Sequence, residues 1–210
     1  MAKPSNRDKI LTEGLKVVHQ LGFGGASVRD IIQAAGVPQG SFTNHFASKE
    51  AFGLEILDIY FAATRVVLDQ TLCNDTMPPL LRLRAYLQAN NTRMEREGVE
   101  NGCLFGNFSG EAVDHSEPIR NRLVAIFAEV RKALAYCLDA GVQSGELPAG
   151  LDCDGVAEFI VGGLQGALLL AKVQHSTVPL ERFEQILFGM VLARPDVLAP
   201  ALTATAPLAA

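Results

Sequence analysis

A cysteine that follows a polar loop is the side chain best suited to covalent chemistry in this sequence. Cys103 comes directly after Gly98–Gly102, and the pattern predicts a short helix from about Cys103 to Val113. A thiolate at a helix N-terminus is stabilised by free N–H groups and by the helix dipole, which lowers its pKa and raises its reactivity. Arg93 and Arg96 lie shortly upstream and could add positive charge. The alternative is a buried structural cysteine, because cysteine is one of the most buried residue types.

The other titratable side chains predict neither a metal site nor an enzyme. The four cysteines form no CxxC pair and have no metal-ligand spacing with histidine, so we expect free thiols. Glu111, Asp114 and His115 are close in sequence and could suggest a metal site, but we interpret them as a polar helix end. The remaining cysteines are interpreted as packing or surface residues: Cys73, Cys137 and Cys153.

Catalytic motifs are missing from the sequence. There is no GxxxxGK[ST], GxSxG or HExxH motif, and the histidines are scattered. A continuous helix would separate Cys103 from His115 by about 18 Å, which excludes a dyad along that helix but leaves one formed by tertiary contact open. We therefore expect no enzyme, no catalytic residue and no cofactor.

A second group of polar side chains lies on a short helix predicted over Gln39–Phe46. Phe42 and Phe46 are four residues apart, so they share one inward face. The opposite face carries hydrogen-bonding groups that can reach base edges or phosphates. These residues are Gln39, Ser41, Thr43, Asn44 and His45.

The preceding helix positions this polar face. Ser27 begins that helix with Asp30 three residues later, which is the spacing of a capping box. Gly36 ends it, because glycine adopts left-handed backbone angles without steric cost, and Pro38 blocks its continuation. Two short helices joined by a tight turn are typical of a DNA-binding helix-turn-helix.

The remaining elements also read as helices, which predicts an all-α fold of about nine helices. A first helix covers residues 6–21, and a helix from Lys49 to about Leu72, about 36 Å long, links a small head to a larger body. The body helices are predicted to begin near Pro78, Cys103, Ser116, Asp152 and Pro179. The helix that begins near Ser116 is predicted to end near Gly141. The predicted domains are a helix-turn-helix domain over 1–50 and a ligand-binding and dimerisation domain over 51–195. Residues 196–210 are predicted to be a disordered tail.

Charge and hydropathy favour a DNA-binding head on a body with another task. The first 50 residues hold six Lys and Arg against four Asp and Glu, whereas the whole chain has a net charge of −5. No apolar run reaches the roughly 18–20 residues of a membrane span, and the N-terminus lacks the apolar core of a signal peptide. We expect a cytoplasmic protein with no membrane partner.

The segment 155–174 is apolar nearly all round, so it should be buried on more than one side. One interpretation is a central core helix in a monomer. The other is a helix that faces its own subunit on one side and a symmetry mate on the other, and a homodimer suits a recognition helix so short. The predicted interface residues are Gly162, Gly163, Gly166, Ala167, Leu170, Phe183, Leu187 and Met190.

Three segments in order give the chain a family resemblance. The opening ILTEGLKVVHQLGFGGASVRDII, the turn AAGVPQGSF and the helix start HFASKEAF resemble the TetR family of bacterial transcriptional regulators. The resemblance implies an all-helical homodimer, usually a repressor, whose N-terminal domains bind a palindromic DNA operator. It also implies a C-terminal pocket for a small-molecule inducer.

By position, the resemblance assigns Ser27 and Lys49 as phosphate contacts at helix N-termini. The chain departs from the family at Thr43, where tyrosine is usual, and this puts one phosphate contact in doubt. The predicted DNA-binding residues are Ser27, Arg29, Gln39, Gly40, Ser41, Thr43, Asn44, His45 and Lys49.

The segment GCLFGNFSGE, which contains Cys103, is similar to a GCLxGNxxxE motif in one branch of the family. That branch includes the repressor of N-ethylmaleimide reductase and acrylate-responsive repressors, and it implies a response to reactive electrophiles or small unsaturated acids. The hypothesis is electrophile or redox sensing at Cys103. The alternatives are reversible binding of a small unsaturated or aromatic carboxylic acid, or a small-molecule carrier that does not bind DNA. The predicted sensor and ligand residues are Cys103, Phe105, Asn107, Phe108, Arg93 and Arg96.

Overall fold

The computed structural model describes residues 5–193, and within that range it contains nine α-helices and no β-strand. The helices are α1 (Asn6–Leu21), α2 (Val28–Ala35), α3 (Ser41–His45), α4 (Lys49–Gln70), α5 (Pro79–Glu97), α6 (Leu104–Glu111), α7 (Glu117–Ser144), α8 (Cys153–Gln174) and α9 (Val178–Ile186). A 3-10 turn, Val99–Asn101, precedes α6, and a π-helical turn, Leu187–Val191, follows α9. The predicted all-α fold is confirmed. The predicted tail, 196–210, lies outside the described residues.

The helices α1–α3, called the head below, pack around an aromatic cluster. Phe42 and Phe46 are both buried, as predicted, and their ring centroids lie 5.4 Å and 5.2 Å from that of Phe52 on α4. The capping box at Ser27 is present: Asp30 N donates to Ser27 Oγ at 3.1 Å, and Ser27 N donates to Asp30 Oδ2 at 2.9 Å. These local signals orient α2 and α3 as a helix-turn-helix.

The helix α3 is shorter than the sequence predicts. It begins at Ser41 rather than Gln39, because Gln39 and Gly40 belong to the turn that follows Pro38. Ser41 was predicted to lie on the polar outer face, but its side chain is buried beside Phe42. A five-residue helix covers little more than one turn, so its first residue still faces the core.

The long helix α4 carries side chains of both the head core and the core of the body, by which we mean α5–α9. Ser48 caps its N-terminus, where Ser48 Oγ accepts a hydrogen bond from Ala51 N at 3.0 Å. Phe52 packs in the head, whereas Phe61 lies 6.1 Å from Phe105 of α6 between ring centroids. One rigid helix therefore connects the two parts.

The helices α7 and α8 differ from expectation in two respects. α7 ends at Ser144, where Gly145 adopts φ of 78°, and not near Gly141. Gly141 is instead a close-packing position, because a Cβ there would lie 2.8 Å from a methyl carbon of Leu147. The second difference is that α8 is long and apolar enough, by length and composition alone, to span a membrane, contrary to the expectation that no segment is. It packs between α7 and α9 on one side, while apolar side chains on its other side, such as Leu169 and Val173, are exposed.

Candidate DNA-binding surface and ligand cavity

The outer surface of α3 and its preceding turn is polar and exposed. Gln39, Gly40, Asn44 and His45 all face solvent, and the His45 ring lies edge-on to the Phe46 ring at 6.5 Å between centroids. Thr43 is exposed too, but its hydroxyl donates to the Gly40 carbonyl at 3.1 Å. The surface can therefore offer amide and imidazole groups to base edges. Ser41, which was predicted to belong to the same surface, is only 7% exposed.

Two exposed residues and one half-buried lysine border this surface. Ser27 and Arg29 are exposed at the start of α2. Lys49 points back into the head: its Nζ lies 4.8 Å from the centroid of the Phe23 ring and 3.5 Å from the Gly24 carbonyl oxygen. Partial burial lowers the pKa of Lys49. A phosphate contact by this side chain would require it to leave the Phe23 ring.

A cavity of about 40 Å³ lies between α4, α5, α6, α7 and α8, with room for one or two water molecules. Arg93 projects over it. The guanidinium lies 3.8 Å above the Tyr60 ring centroid, and its Nη1 donates to Thr64 Oγ1 at 3.3 Å. Its Nε donates to Glu97 Oε2, also at 3.3 Å. The polar lining residues are Tyr60, Thr64, Tyr86, Asn90, Arg93, Glu97, Cys103 and Gln165, and the apolar ones include Met94, Phe105, Phe127, Val130, Leu164 and Leu168.

The cavity lining combines Arg93, which is paired with Glu97, with neutral hydrogen-bond donors. Burial raises the pKa of Tyr86 to about 12 and also raises the pKa of Tyr60, so both phenols are protonated at neutral pH. The remaining wall is aromatic and aliphatic. Such a lining suits a small molecule with an apolar body and one polar or anionic group.

Cys103 is the N-cap of α6 and lies between this cavity and a second, more open one of about 280 Å³. Its half-buried sulfur accepts a hydrogen bond from Gln165 Nε2 at 3.7 Å. In the second cavity Lys172 Nζ donates to Asn107 Oδ1 at 3.0 Å. We call the cavity of about 280 Å³ the open cavity and the less open one of about 40 Å³ the closed cavity. The thiol is reachable from the open cavity and borders the closed cavity.

The other cysteines differ from Cys103. Burial raises the pKa of Cys137 to about 11 and the pKa of Cys153 to about 12, which disfavours their thiolates. Cys73 is exposed, and partial desolvation raises the pKa of its thiol. Across residues 5–193 all four cysteines are free, and no group of three His, Cys, Asp or Glu side chains is arranged to hold a metal.

Four of the six predicted sensor residues lie at the cavities, and two do not. Arg93, Cys103 and Phe105 line the closed cavity, and Asn107 lines the open one. Arg96 was predicted as a pocket group, but 71% of its side chain is exposed and it pairs with Glu97 at the surface. Phe108 is fully buried and does not line either cavity; its ring lies 4.7 Å from that of Phe23 in the head.

Sequence reasoning missed the residues that reach the site from distant elements. Gln165 and Lys172 come from α8, and His19 comes from α1, where it is buried. His19 Nε2 lies 2.9 Å from the Gly102 carbonyl oxygen. The periodicity of α1 gave no signal for this role, because only the tertiary fold brings His19 to the loop before Cys103.

An exposed apolar surface runs along α8 and the end of α9. Of the predicted interface residues, Leu170 and Met190 are 51% and 65% exposed, and a Cβ at Gly162 or Gly166 would meet nothing within 4 Å. The other four predicted interface residues pack against side chains of the same subunit. Ala167 and Leu187 are buried, and a Cβ on Gly163 would lie 2.5 Å from the Phe183 ring. The exposed apolar side chains beside them include Phe159, Leu169, Val173 and Ile186.

Two sequence models match the chain. One, described as bacterial regulatory proteins of the tetR family, matches residues 10–56. The other, described as a tetracyclin repressor-like C-terminal domain, matches residues 79–187. The first match covers the helix-turn-helix and the start of α4, and the second covers α5 through α9.

Individual relatives match over most of their length. The HTH-type transcriptional repressor DhaR of Mycobacterium sp. (strain GP1) is 35% identical over 91% of this chain and 95% of its own. The HTH-type transcriptional repressor NemR of Escherichia coli (strain K12) is 31% identical over 83% of this chain and 88% of its own. Among solved structures, a regulatory protein TetR from Rhodobacter sphaeroides has a TM-score of 0.82 at 31% identity, covering 88% of this chain and 97% of that one. The reduced form of E. coli NemR has a TM-score of 0.76 at 30% identity, and the match covers 85% of this chain and 92% of that one.

Proposed function

The chain belongs to the tetR family of bacterial transcriptional regulators, and from this premise we propose that it represses transcription as an operator-bound homodimer released by a small molecule. Regulators of this family bind DNA operators and small-molecule ligands, typically as dimers. The observation that carries the proposal is the pairing of an exposed polar α3 surface with an internal cavity that borders a thiol. Because bacterial DNA lies in the cytoplasm, we assign the protein to that compartment.

Direct base contacts are assigned to the exposed α3 surface. Asn44 can bond two edges of one base, and Gln39 and His45 lie beside it. Ser27 and Arg29 contact phosphates from the start of α2, joined by Lys49 once its ammonium leaves the Phe23 ring. The head places Ser41 in its core, so we leave it out of the contact set.

The DNA assignment is tested by selecting duplexes from a randomised library and measuring affinity against salt. We expect specific binding that weakens steeply with salt. Asn44→Ala should cost about 1–3 kcal/mol of discrimination, because one bidentate base contact is lost. Gln88→Ala, an equally polar and exposed change on α5, should leave affinity unchanged. A chain that selects no duplex at low salt would instead be a small-molecule carrier.

Sensing is assigned to Cys103. Its thiolate sulfur adds to one carbon of an activated C=C bond, the π bond breaks, and the proton ends on the neighbouring carbon. An adduct that enters the closed cavity must displace α6, because this cavity has room for only one or two waters. Redox agents reach the same sulfur from the open cavity.

The sensing assignment is tested with N-ethylmaleimide. We expect the reagent to release the operator from the wild type and from Cys73→Ser, which removes the exposed cysteine, but not from Cys103→Ser. Equal release from Cys103→Ser would contradict covalent sensing. Reversible binding of a small unsaturated or aromatic carboxylic acid is the second candidate, favoured by Arg93 over the cavity, and Arg93→Gln should abolish that response.

No enzymatic activity is assigned to the site. A Cys–His catalytic pair needs an imidazole nitrogen that accepts the thiol proton, whereas His19 Nε2 donates to the Gly102 carbonyl oxygen. His115 lies at the far end of α6, beside Lys49 and Glu111.

A further inference from the structure

The segment from Gly102 to Glu111 touches the head at both of its ends. At the first end, His19 Nε2 of α1 lies 2.9 Å from the Gly102 carbonyl oxygen. At the other end, Glu111 Oε2 accepts a hydrogen bond from Gly24 N at 2.8 Å. Between them Phe108 packs on Phe23. The strip of chain that carries Cys103 is therefore attached directly to the DNA-binding head, in addition to the connection through α4.

The His19 contact is the one closest to the thiol. The carbonyl of Gly102 belongs to the peptide bond whose nitrogen is that of Cys103. Because this unit is planar, any tilt of the Cys103 N–H also turns the carbonyl that His19 binds. Gly102 has φ of 68°, a conformation available to glycine but strained for other residues, so the carbonyl direction depends on this one turn.

His19 also touches the wall of the closed cavity. Its ring packs edge-on against Tyr60 at 5.7 Å between centroids, and its Nδ1 lies 4.0 Å from Glu97 Oε2. Glu97 in turn holds Arg93, which projects over the cavity. His19 is thus a buried residue of the head that contacts three residues lining the closed cavity: Tyr60 of α4, Glu97 of α5 and Gly102 of the loop before α6.

We infer that His19 is a positioning residue that reports the state of the Cys103 segment to the DNA-binding head. Extra bulk on the Cys103 sulfur displaces the first turn of α6, which withdraws the Gly102 carbonyl from His19. The buried imidazole N–H loses its acceptor, an unfavourable state, and α1 shifts to relieve it. The inference rests on the proposed function, because it connects the proposed sensor to the proposed DNA-binding surface.

The test is a double-mutant cycle that needs no chemical reagent. Cys103→Met adds bulk at the sulfur position, and His19→Phe keeps an aromatic ring but removes the hydrogen bond. We expect Cys103→Met to weaken operator affinity about tenfold in the wild-type background and less than twofold in the His19→Phe background. His19→Gln, whose amide can donate to the same carbonyl, should restore the tenfold response. Equal weakening by Cys103→Met in both backgrounds would overturn the inference, because His19 would then be only structural.

A second measurement separates failure of this inference from failure of the proposed function. Amide hydrogen exchange is compared over residues 19–30 in the same proteins without DNA. The inference is supported if exchange is faster in Cys103→Met than in the wild type, but no faster in the double mutant than in His19→Phe. This result supports it even if no duplex is bound. Unchanged exchange in Cys103→Met overturns it even if operator binding is demonstrated.

Discussion

The burial of His19 has a consequence for stability as well as for signalling. Desolvation lowers the pKa of His19 below its usual 6.5, and nearby Arg93 and Lys172 act in the same direction, whereas the Gly102 carbonyl and Glu97 oppose them. The folded protein therefore binds a proton at this position less readily than the unfolded chain does. The stability that neutral His19 contributes to the folded state is fully present above about pH 6.5. It is lost as the pH falls below that value, because the unfolded chain then binds the proton first.

We therefore expect the wild type to lose stability between pH 7.5 and pH 5.5, and His19→Gln to lose less. Urea unfolding at the two pH values measures the difference. Asp75 and Glu129 have pKa values below their usual 3.8 and 4.5, so they stay ionised over this interval and do not contribute to the slope. An equal loss in the two proteins would mean that the imidazole is not desolvated in solution.

At the scale of single residues, the sequence predicts the features that depend only on neighbouring residues along the chain. The Ser27–Asp30 capping box and the left-handed Gly36 follow from residue type and spacing, and both are present. Ser41 was assigned from helical position and the family resemblance, and Arg96 and Phe108 were assigned because they are close to Cys103 in sequence. Which side of a short helix meets a neighbour depends on tertiary packing, so the pattern could not place Ser41 in the core or Phe108 against Phe23.

At the scale of elements, the head depends on the close approach of α1 to α4. A Cβ at Gly14 would lie 2.6 Å from Phe52 Cζ and 3.0 Å from Ile31 Cγ2, in the buried centre of the head. The Phe52 ring is fully buried and cannot move aside. Overpacking a core costs about 1–3 kcal/mol, which exceeds the helix-propensity gain of roughly 1 kcal/mol from replacing glycine.

We expect Gly14→Ala to destabilise the head and to weaken operator binding through loss of α3 placement. Thermal unfolding and operator titration measure the two effects. Gly110→Ala, also helical but with nothing within 4 Å of the added Cβ, should be neutral or slightly stabilising. Unchanged stability in Gly14→Ala would show that α1 and α4 can separate without cost.

Element boundaries illustrate the limit of sequence reasoning about the fold. α1 begins at Asn6 and α4 at Lys49, as predicted, and in both helices a serine N-cap satisfies a free N–H group locally. The end of α7 was placed near Gly141 because glycine commonly ends helices. Gly141 is needed instead for contact with Leu147, and only the packing of that loop distinguishes the two uses of glycine.

At the scale of the whole molecule, the exposed apolar surface of α8 and α9 favours a dimer in which a second copy of the chain buries this surface. Phe159, Leu169, Leu170 and Val173 are all at least half exposed on α8, and Met190 extends the surface beyond α9. Contiguous apolar surface of this kind marks an interaction site on a soluble protein. Gly162 and Gly166 leave open space on the same helix, where a symmetry-related helix could approach closely.

The proposed dimer predicts different results for two equally exposed leucines. Leu170→Glu places a charge in the α8 surface and should yield particles of single-chain mass in sedimentation at micromolar concentration. Leu81→Glu makes the same change on α5, where leucine is 52% exposed against 51% for Leu170, and should leave the dimer intact. The Leu170→Glu protein should also lose operator affinity, because one head engages only one half-site. A wild type that sediments as a single chain would remove the dimer, and with it the palindromic operator.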